Sequence, residues 1–513
     1  MLVVIASKSF SQRIQNHYSP ELYANLQLLE ASGLIPQGST AQRPLSEKKI
    51  EELLCKTEQV ADSLQYVVDL VKSSRKLLVK NSKESNANFE INLLQKVTIS
   101  NVLTNQDGSS IQQNGLSGVD AVIQPLLIDR EGRFYNETSN TYLETLHSFS
   151  YKDKVSVQVQ PQIVTSRSNT TQHLLRFQKL LFKVNLGFAE VSVGRDNVLW
   201  GIRNNGGLLF SENARPLDMI KLSSHGQNQL PWFLKNAGTY SFSTFVAGMG
   251  KHYSRKNATL AAYRFDYQPT EKWNIGIEHT VVIGGEGLDQ PSVGRAVGEY
   301  IGFLIKPGDP APSNHNITVT ILKNFKTFNA YFGVMLEDTD YNLEMQFVHN
   351  GTWLFGYHNP NLGQNGKLSL RSEIINSSPR AYRHGIYRSG HAINQRILGF
   401  GLGPDVLQST TTLDFLNDNN GRFSLNFQYI NRSGNSYRVI KKGNGDFIDL
   451  EVIESRPSEN HLIFMTNWSK TITKQLNFKI QAGLDYTRNK DFVAKSNTLD
   501  YMVDFSIEFF PGI

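Results

Sequence analysis

The feature that most constrains this chain is a strict alternation of apolar and polar residues, held over stretches of about nine to eleven residues and repeated after Phe89. Leu476, Phe478, Ile480, Ala482, Leu484 and Tyr486 alternate with Asn477, Lys479, Gln481, Gly483 and Asp485. Tyr501, Val503, Phe505, Ile507 and Phe509 alternate with Asp504, Ser506 and Glu508. The same period runs through Tyr263, Phe265 and Tyr267, through Trp273, Ile275, Ile277, His279, Val281 and Ile283, and through Phe423, Leu425, Phe427 and Tyr429. A period of two places successive side chains on opposite faces of a strand, so each strand has one apolar and one polar face. Strands of a soluble sandwich are typically about five or six residues long, whereas a tilted membrane strand needs about nine to eleven. The expected fold is therefore an all-β transmembrane barrel of antiparallel strands.

The connections agree with that architecture. Asn419-Asn420-Gly421 and Gly443-Asn444-Gly445 have hairpin turn chemistry, while Gly284 to Gly298 and His358 to Gly366 are longer, polar and glycine-rich. Short turns at one end and long loops at the other are the pattern of an outer-membrane barrel. At about 20–25 residues per strand and connection, the chain beyond residue 88 accommodates some 16–20 strands, an even number being expected. The last strand ends in the aromatic pair Phe509-Phe510, followed by Pro511-Gly512-Ile513.

Composition excludes several alternatives. The 513 residues include 19% charged and 11% aromatic side chains, and mean hydropathy is -0.34. No run reaches the roughly 18–20 apolar residues of a membrane-spanning helix, which leaves a barrel untouched because its strands show lipid only one face. The formal charge of +6 favours anionic partners and is too small to indicate nucleic acid. One cysteine, Cys55, excludes an intramolecular disulfide framework and every multi-cysteine metal site. Its place in a helical pattern predicts a buried thiol on an apolar face.

The first 88 residues read differently. Leu2 to Ala6 is an apolar run, and Ser9 and Ser11 have the spacing a signal peptidase reads. Residues 1–18 are thus expected to be a signal remnant and the mature N-terminus. From 19 to 80 the period is helical. Ser19 caps, Pro20 takes the first helical position, Leu22, Leu26 and Leu29 share a face, and Gly33 stops the helix. Ser46 caps a second helix with Ile50, Leu53 and Leu54, and a third carries Val60, Leu64, Val67, Val68 and Val71. This predicts a small α-helical bundle, joined through a polar linker, 81–88, to the barrel, 89–513.

One segment is not generic. Gly194-Arg195-Asp196-Asn197-Val198-Leu199-Trp200-Gly201 is followed by Gly206-Gly207-Leu208-Leu209-Phe210-Ser211-Glu212-Asn213-Ala214-Arg215-Pro216. The pair resembles the signature of the Wzi-type capsule assembly family, a GR…WG element followed by L-x-x-S-x-N-A-R-P. Leu26 to Ile35, with Arg43-Pro44-Leu45-Ser46, is similar to that family's helical head. The resemblance implies an outer-membrane barrel of about eighteen strands with a periplasmic helical bundle. It also implies a lectin that helps to hold capsular polysaccharide at the cell surface, with no reaction and no cofactor. The implied partners are an acidic capsular or exopolysaccharide, outer-membrane lipid and the barrel assembly machinery.

The residues of the motif, Gly194, Arg195, Trp200, Gly201, Ser211, Asn213, Arg215 and Pro216, admit two readings. Trp200 offers a face for stacking on sugar C–H groups, Asn213 can donate and accept, and Arg195 and Arg215 can pair with uronate or pyruvate carboxylates. Alternatively Arg215 satisfies lumen carboxylates or loop carbonyls, and Trp200 is a girdle anchor. Gly399 to Pro404 imitates a nucleotide loop but lacks a following helix, so a hairpin or lumen turn is expected. His384 and His391, near Arg380, Arg383 and Arg388, read as a solvated loop or a basic patch for anionic glycan. A passive porin-like channel is the competing function, and a hydrolase would need an Asp/Ser/His set that the strands do not supply.

Overall fold

The computed structural model describes residues 16–17, 19–60, 65–79, 89–111, 114–116, 118–166, 175–302, 313–337, 347, 350–363, 366–417, 421–441, 447–473 and 475–511. The expected signal remnant up to residue 15, Leu64, the 81–88 linker, and the turn residues Asn419-Asn420 and Gly443-Asn444-Gly445 lie outside them. Among the described residues no helix is long and apolar enough to cross a membrane.

Among the described residues eighteen long strands form one closed antiparallel barrel, from β1 (Phe89–Thr104) to β18 (Asn497–Phe509). Closure comes from β18 pairing back on β1, with Phe509 opposite Val97 and Met502 opposite Thr104. The alternation seen in the sequence sorts side chains as expected. Along Trp273–Ile283, Ile277 is exposed on the outer wall while its neighbour Glu278 is fully buried in the lumen. There Glu278 and Asp266 both bind the Arg264 guanidinium, with Arg264 Nε 2.7 Å and Nη2 2.6 Å from the two Asp266 oxygens. Along this strand the charge goes inside because lipid offers no hydrogen bonds, and inside it is paired and hydrogen-bonded.

At one end the strands are joined mostly by short turns, such as 152–154, 186–188 and 325–328. The other end carries the long connections 105–137, 197–216, 378–405 and 433–458. The long, glycine-rich connection that begins at Gly284 contains a helix at Val293–Ile301. Its short length and two internal glycines hide the helical period in the sequence.

The N-terminal residues form α1 (Pro20–Ala31), α2 (Glu47–Val60) and α3 (Gln65–Val79) at the short-turn end. Ser19 accepts from Leu22 N and Pro20 opens α1, while Gly33 lies beyond its end at φ +72°. That left-handed conformation costs glycine little, which is why the helix stops there. Leu22, Leu26, Leu29, Ile50, Leu53, Leu54, Val67 and Val71 pack together. Polar residues of α1 are buried too, because the barrel mouth covers the faces that α2 and α3 leave open. Asn324 Nδ2 donates to Ala31 O at 2.8 Å, and Lys479 Nζ lies 2.8 Å from Glu21 and 3.0 Å from Glu508. Cys55 is exposed, contrary to expectation. The buried stripe of α2 runs through Ile50, Leu53, Leu54 and Thr57, and Cys55 falls just outside it, between Glu51 and Arg75.

Candidate functional site

The motif lies where the barrel wall passes into a cap at the long-loop end. Gly194 and Arg195 end strand β5 (Ala189–Asp196), and Pro216 precedes β6 (Leu217–Ser224). Gly194 has φ +121°, and a Cβ there would stand 2.0 Å from Leu180 O, so only glycine lets the neighbouring strand approach. Arg195 follows the parity of the lipid-facing Val193 and lies on the outer wall. Its Nε and Nη2 are 2.7 and 2.6 Å from the two oxygens of Asp218, and Nη1 donates to Phe177 O at 3.0 Å. The fork of the guanidinium thereby ties three adjacent strands.

From Asn197 the chain turns into the lumen. Trp200 is fully buried, with Phe210 edge-on at 5.1 Å and Phe245 tilted at 5.3 Å. It is therefore neither a girdle anchor nor open to a sugar face, because the loop carries it inward to fill the barrel's centre. Gly201, at φ +126°, approaches Gly207 so closely that a Cβ would lie 2.6 Å from Gly207 Cα. Ser211 Oγ donates to Gly399 O at 2.5 Å, and Asn213 Nδ2 donates to Ile397 O at 2.9 Å. These two motif side chains fasten the 197–216 loop to the 378–405 loop. The glycine-rich stretch from Gly399 is thus a turn in the lumen.

Other residues of the cap gave no sequence signal. Arg396 Nη1 donates to Val122 O at 2.9 Å, and Nη2 donates to Gln124 Oε1 at 2.9 Å and Arg133 O at 3.1 Å. Its guanidinium also stacks 4.4 Å over Phe134. Tyr382 Oη donates to Leu208 O at 2.8 Å. His391, expected in a solvated loop, is fully buried with Nε2 3.0 Å from Leu209 O, and burial pushes its pKa down to about 4. No periodicity marks such residues, since each is defined by a partner far away in sequence.

Cap and head meet inside the barrel. Leu199–Trp200 pairs antiparallel with Gln42–Arg43, and Gly201 N donates to Ala41 O at 2.9 Å. Arg43, buried, donates to Arg203 O at 2.8 Å and to Asn204 O. Arg203 Nε in turn lies 3.2 Å from Glu373. Beside this junction remains a polar cavity of about 610 Å³.

Arg215 is the motif residue left at the rim. It is half-buried, and its Nε has no hydrogen-bond partner among the described residues. Burial, and then the charge of Arg195, hold its pKa below the usual guanidinium value, with Asp218 opposing and Arg176 adding to the effect. One apparent acid–base group is a brace instead. Asp485 and Thr487 both contact Nδ1 of His461, and Glu459 contacts Nε2, so no hydroxyl stands opposite the carboxylate as a relay requires.

The family model described as capsule assembly protein Wzi matches residues 103–499. Comparison with curated protein sequences gives no significant match. Among solved structures, Wzi of Escherichia coli is described as an outer membrane protein involved in group 1 capsule assembly and a carbohydrate-binding β-barrel. It superposes with a TM-score of 0.69 at 15% identity, over 96% of this chain and 98% of that one. OprD of Pseudomonas aeruginosa, at 9% identity over 84% and 95% of the two chains, reaches a TM-score of 0.45. OccAB4 of Acinetobacter baumannii, at 13% identity over 83% and 99%, reaches 0.44. These last two values are too low to carry an argument. The match along most of the chain, on a closed outer-membrane barrel, places this protein in the Wzi capsule assembly family.

Proposed function

We propose that this protein is a surface lectin that binds acidic capsular or exopolysaccharide and organises it outside the cell, with the helical head facing the periplasm. The observation that carries this reading is Arg215 at the rim. Among the described residues its guanidinium has no ion pair, and the nearby Asp218 is already engaged by Arg195. Its Nε is shielded from solvent, so a uronate or pyruvate carboxylate would supply the missing charge from the Nη side. Arg195, Gly194, Trp200, Gly201, Ser211, Asn213 and Pro216 serve the site by fixing the wall and the loop from which Arg215 projects. The carbohydrate-binding character of the E. coli structure supports the same assignment. The exposed aromatic and aliphatic wall, and the last strand ending at Phe509, support outer-membrane lipid and the barrel assembly machinery as further partners.

The porin alternative finds less support, because two segments of the chain pair with one another across the lumen. Binding of acidic polysaccharide to the purified barrel, with a conductance trace in a planar bilayer, tests both readings. Arg215→Ala should weaken binding by about 1.5–3 kcal/mol while leaving the yield of folded barrel unchanged. Cells lacking the protein should shed capsule into the medium and continue to make it. Wild-type protein that bound no glycan and passed ions freely would transfer the assignment to a channel.

A further inference from the structure

We propose that the helix Val293–Ile301 (α4) is an interfacial helix, seated on the outer wall of the barrel with its apolar stripe in the acyl layer of the outer leaflet. The helix is well defined by its own ends. Ser292 Oγ accepts from Arg295 N at 3.3 Å, and Gly302 closes it at φ +81°.

Its seat is the outside of the barrel. Tyr300 O lies 3.1 Å from His279 Nδ1, the Tyr300 ring packs edge-on against Tyr263 at 5.4 Å, and its hydroxyl meets Thr244 Oγ1. His279, Tyr263 and Thr244 have the strand parity of Ile277, Phe265 and Val246, which are exposed on the outer wall. α4 gives the outward-facing His279 its second partner, Tyr300 O, while the other ring nitrogen of His279 lies 3.1 Å from His315.

The stripe itself is Val293, Val297 and Ile301, spaced i, i+4 and i+8, and 82%, 49% and 46% exposed. Glu299, on the opposite side, is buried and 2.9 Å from Arg295. A capped helix holding three aliphatic side chains outward, continuous with Val246, Phe265 and Ile277, extends the lipid-facing wall. This inference is independent of glycan binding.

The test uses the full chain in vesicles of phosphatidylcholine and phosphatidylglycerol. Cys55→Ser removes the one native cysteine, and nitroxide labels are placed at Val293→Cys or Val297→Cys. Ile277→Cys serves as the lipid-facing reference and Lys251→Cys as the water-facing one. At both helix positions, collision with oxygen should exceed collision with a water-soluble nickel chelate, as at Ile277. Chelate access like that at Lys251, at either position in protein that retains its heat-dependent gel shift, would overturn the proposal.

Discussion

Two plugs close on each other inside this barrel, one made of helices and one made of loops. Both bury polar side chains and both contact lumen residues, yet they are specified in different ways. The head is local. Ser19 and Leu22 are three residues apart, and the stripe of α1 repeats within a dozen residues. The cap is not. Ser211 and Gly399 are separated by 188 positions, and Arg396 and Val122 by 274. A local plug can form as soon as its own chain is present, whereas a plug of distant loops needs the barrel closed around it, at the cost of long loop closures.

The largest expected effect breaks the two plugs separately. Trp200→Ala removes the ring at the centre of the cap and should cost about 3–5 kcal/mol, while Leu26→Ala, equally buried in the head, should cost about 2–5 kcal/mol. Limited proteolysis reads the outcome. Trp200→Ala should expose the 197–216 and 378–405 loops first, and Leu26→Ala should expose α1 first. If both variants released both regions together, the pairing of Leu199–Trp200 with Gln42–Arg43 would make the plugs one cooperative unit, and the contrast would fail.

That contrast also explains what the sequence discloses. Strand count, the lumen-facing side of Glu278 and the ends of α1 follow from periods of two and 3.6 and from local capping. The inward course of Trp200 and the burial of His391 do not, because only a partner far along the chain defines them. Cys55 fails for a smaller reason. An apolar stripe on a helix is narrow, and one residue past Leu54 is already solvent. The motif around Arg195 and Arg215 is legible as a signature, but its division into a wall clamp, a buried anchor and a rim charge is set by partners far along the chain.

An intermediate effect separates the plugs by pH. Burial raises the Glu30 carboxyl of α1 to about 7, despite hydrogen bonds from Thr40 and Gly38, whereas burial lowers His391 in the cap to about 4. For Glu30 the folded form prefers the proton, so its contribution is present below the ordinary carboxyl pKa and is lost as pH rises through about 7. For His391 the folded form rejects the proton, so its contribution is present above the ordinary imidazole pKa and is lost as pH falls through about 4. Protection against hydrogen exchange, taken relative to the intrinsic amide rate at each pH, should therefore fall in the head on alkalinisation and in the cap on acidification. Glu30→Gln should flatten only the head's response. Equal responses in both regions would show that these groups do not govern them.

The smallest effect sharpens the comparison from the local side. Ser19 Oγ accepts from Leu22 N at 3.4 Å, a long cap contact, and also donates to Glu21 at 3.1 Å. Ser19→Ala removes an acceptor for one of the open N–H groups of α1 and should cost about 1 kcal/mol. The effect should stay within the first turn, because Lys479 still holds Glu21 at 2.8 Å and Asn324 still holds the far end of α1 at Ala31. Exchange of the first amides of α1 should quicken while the cap is unchanged, and Ser19→Asp should restore the slower rate by supplying an acceptor and a negative charge at the helix N-terminus. If Ser19→Ala loosened the cap as well, even this most local contact would be felt across the lumen, and the distinction between a local and a distant plug would have to be abandoned.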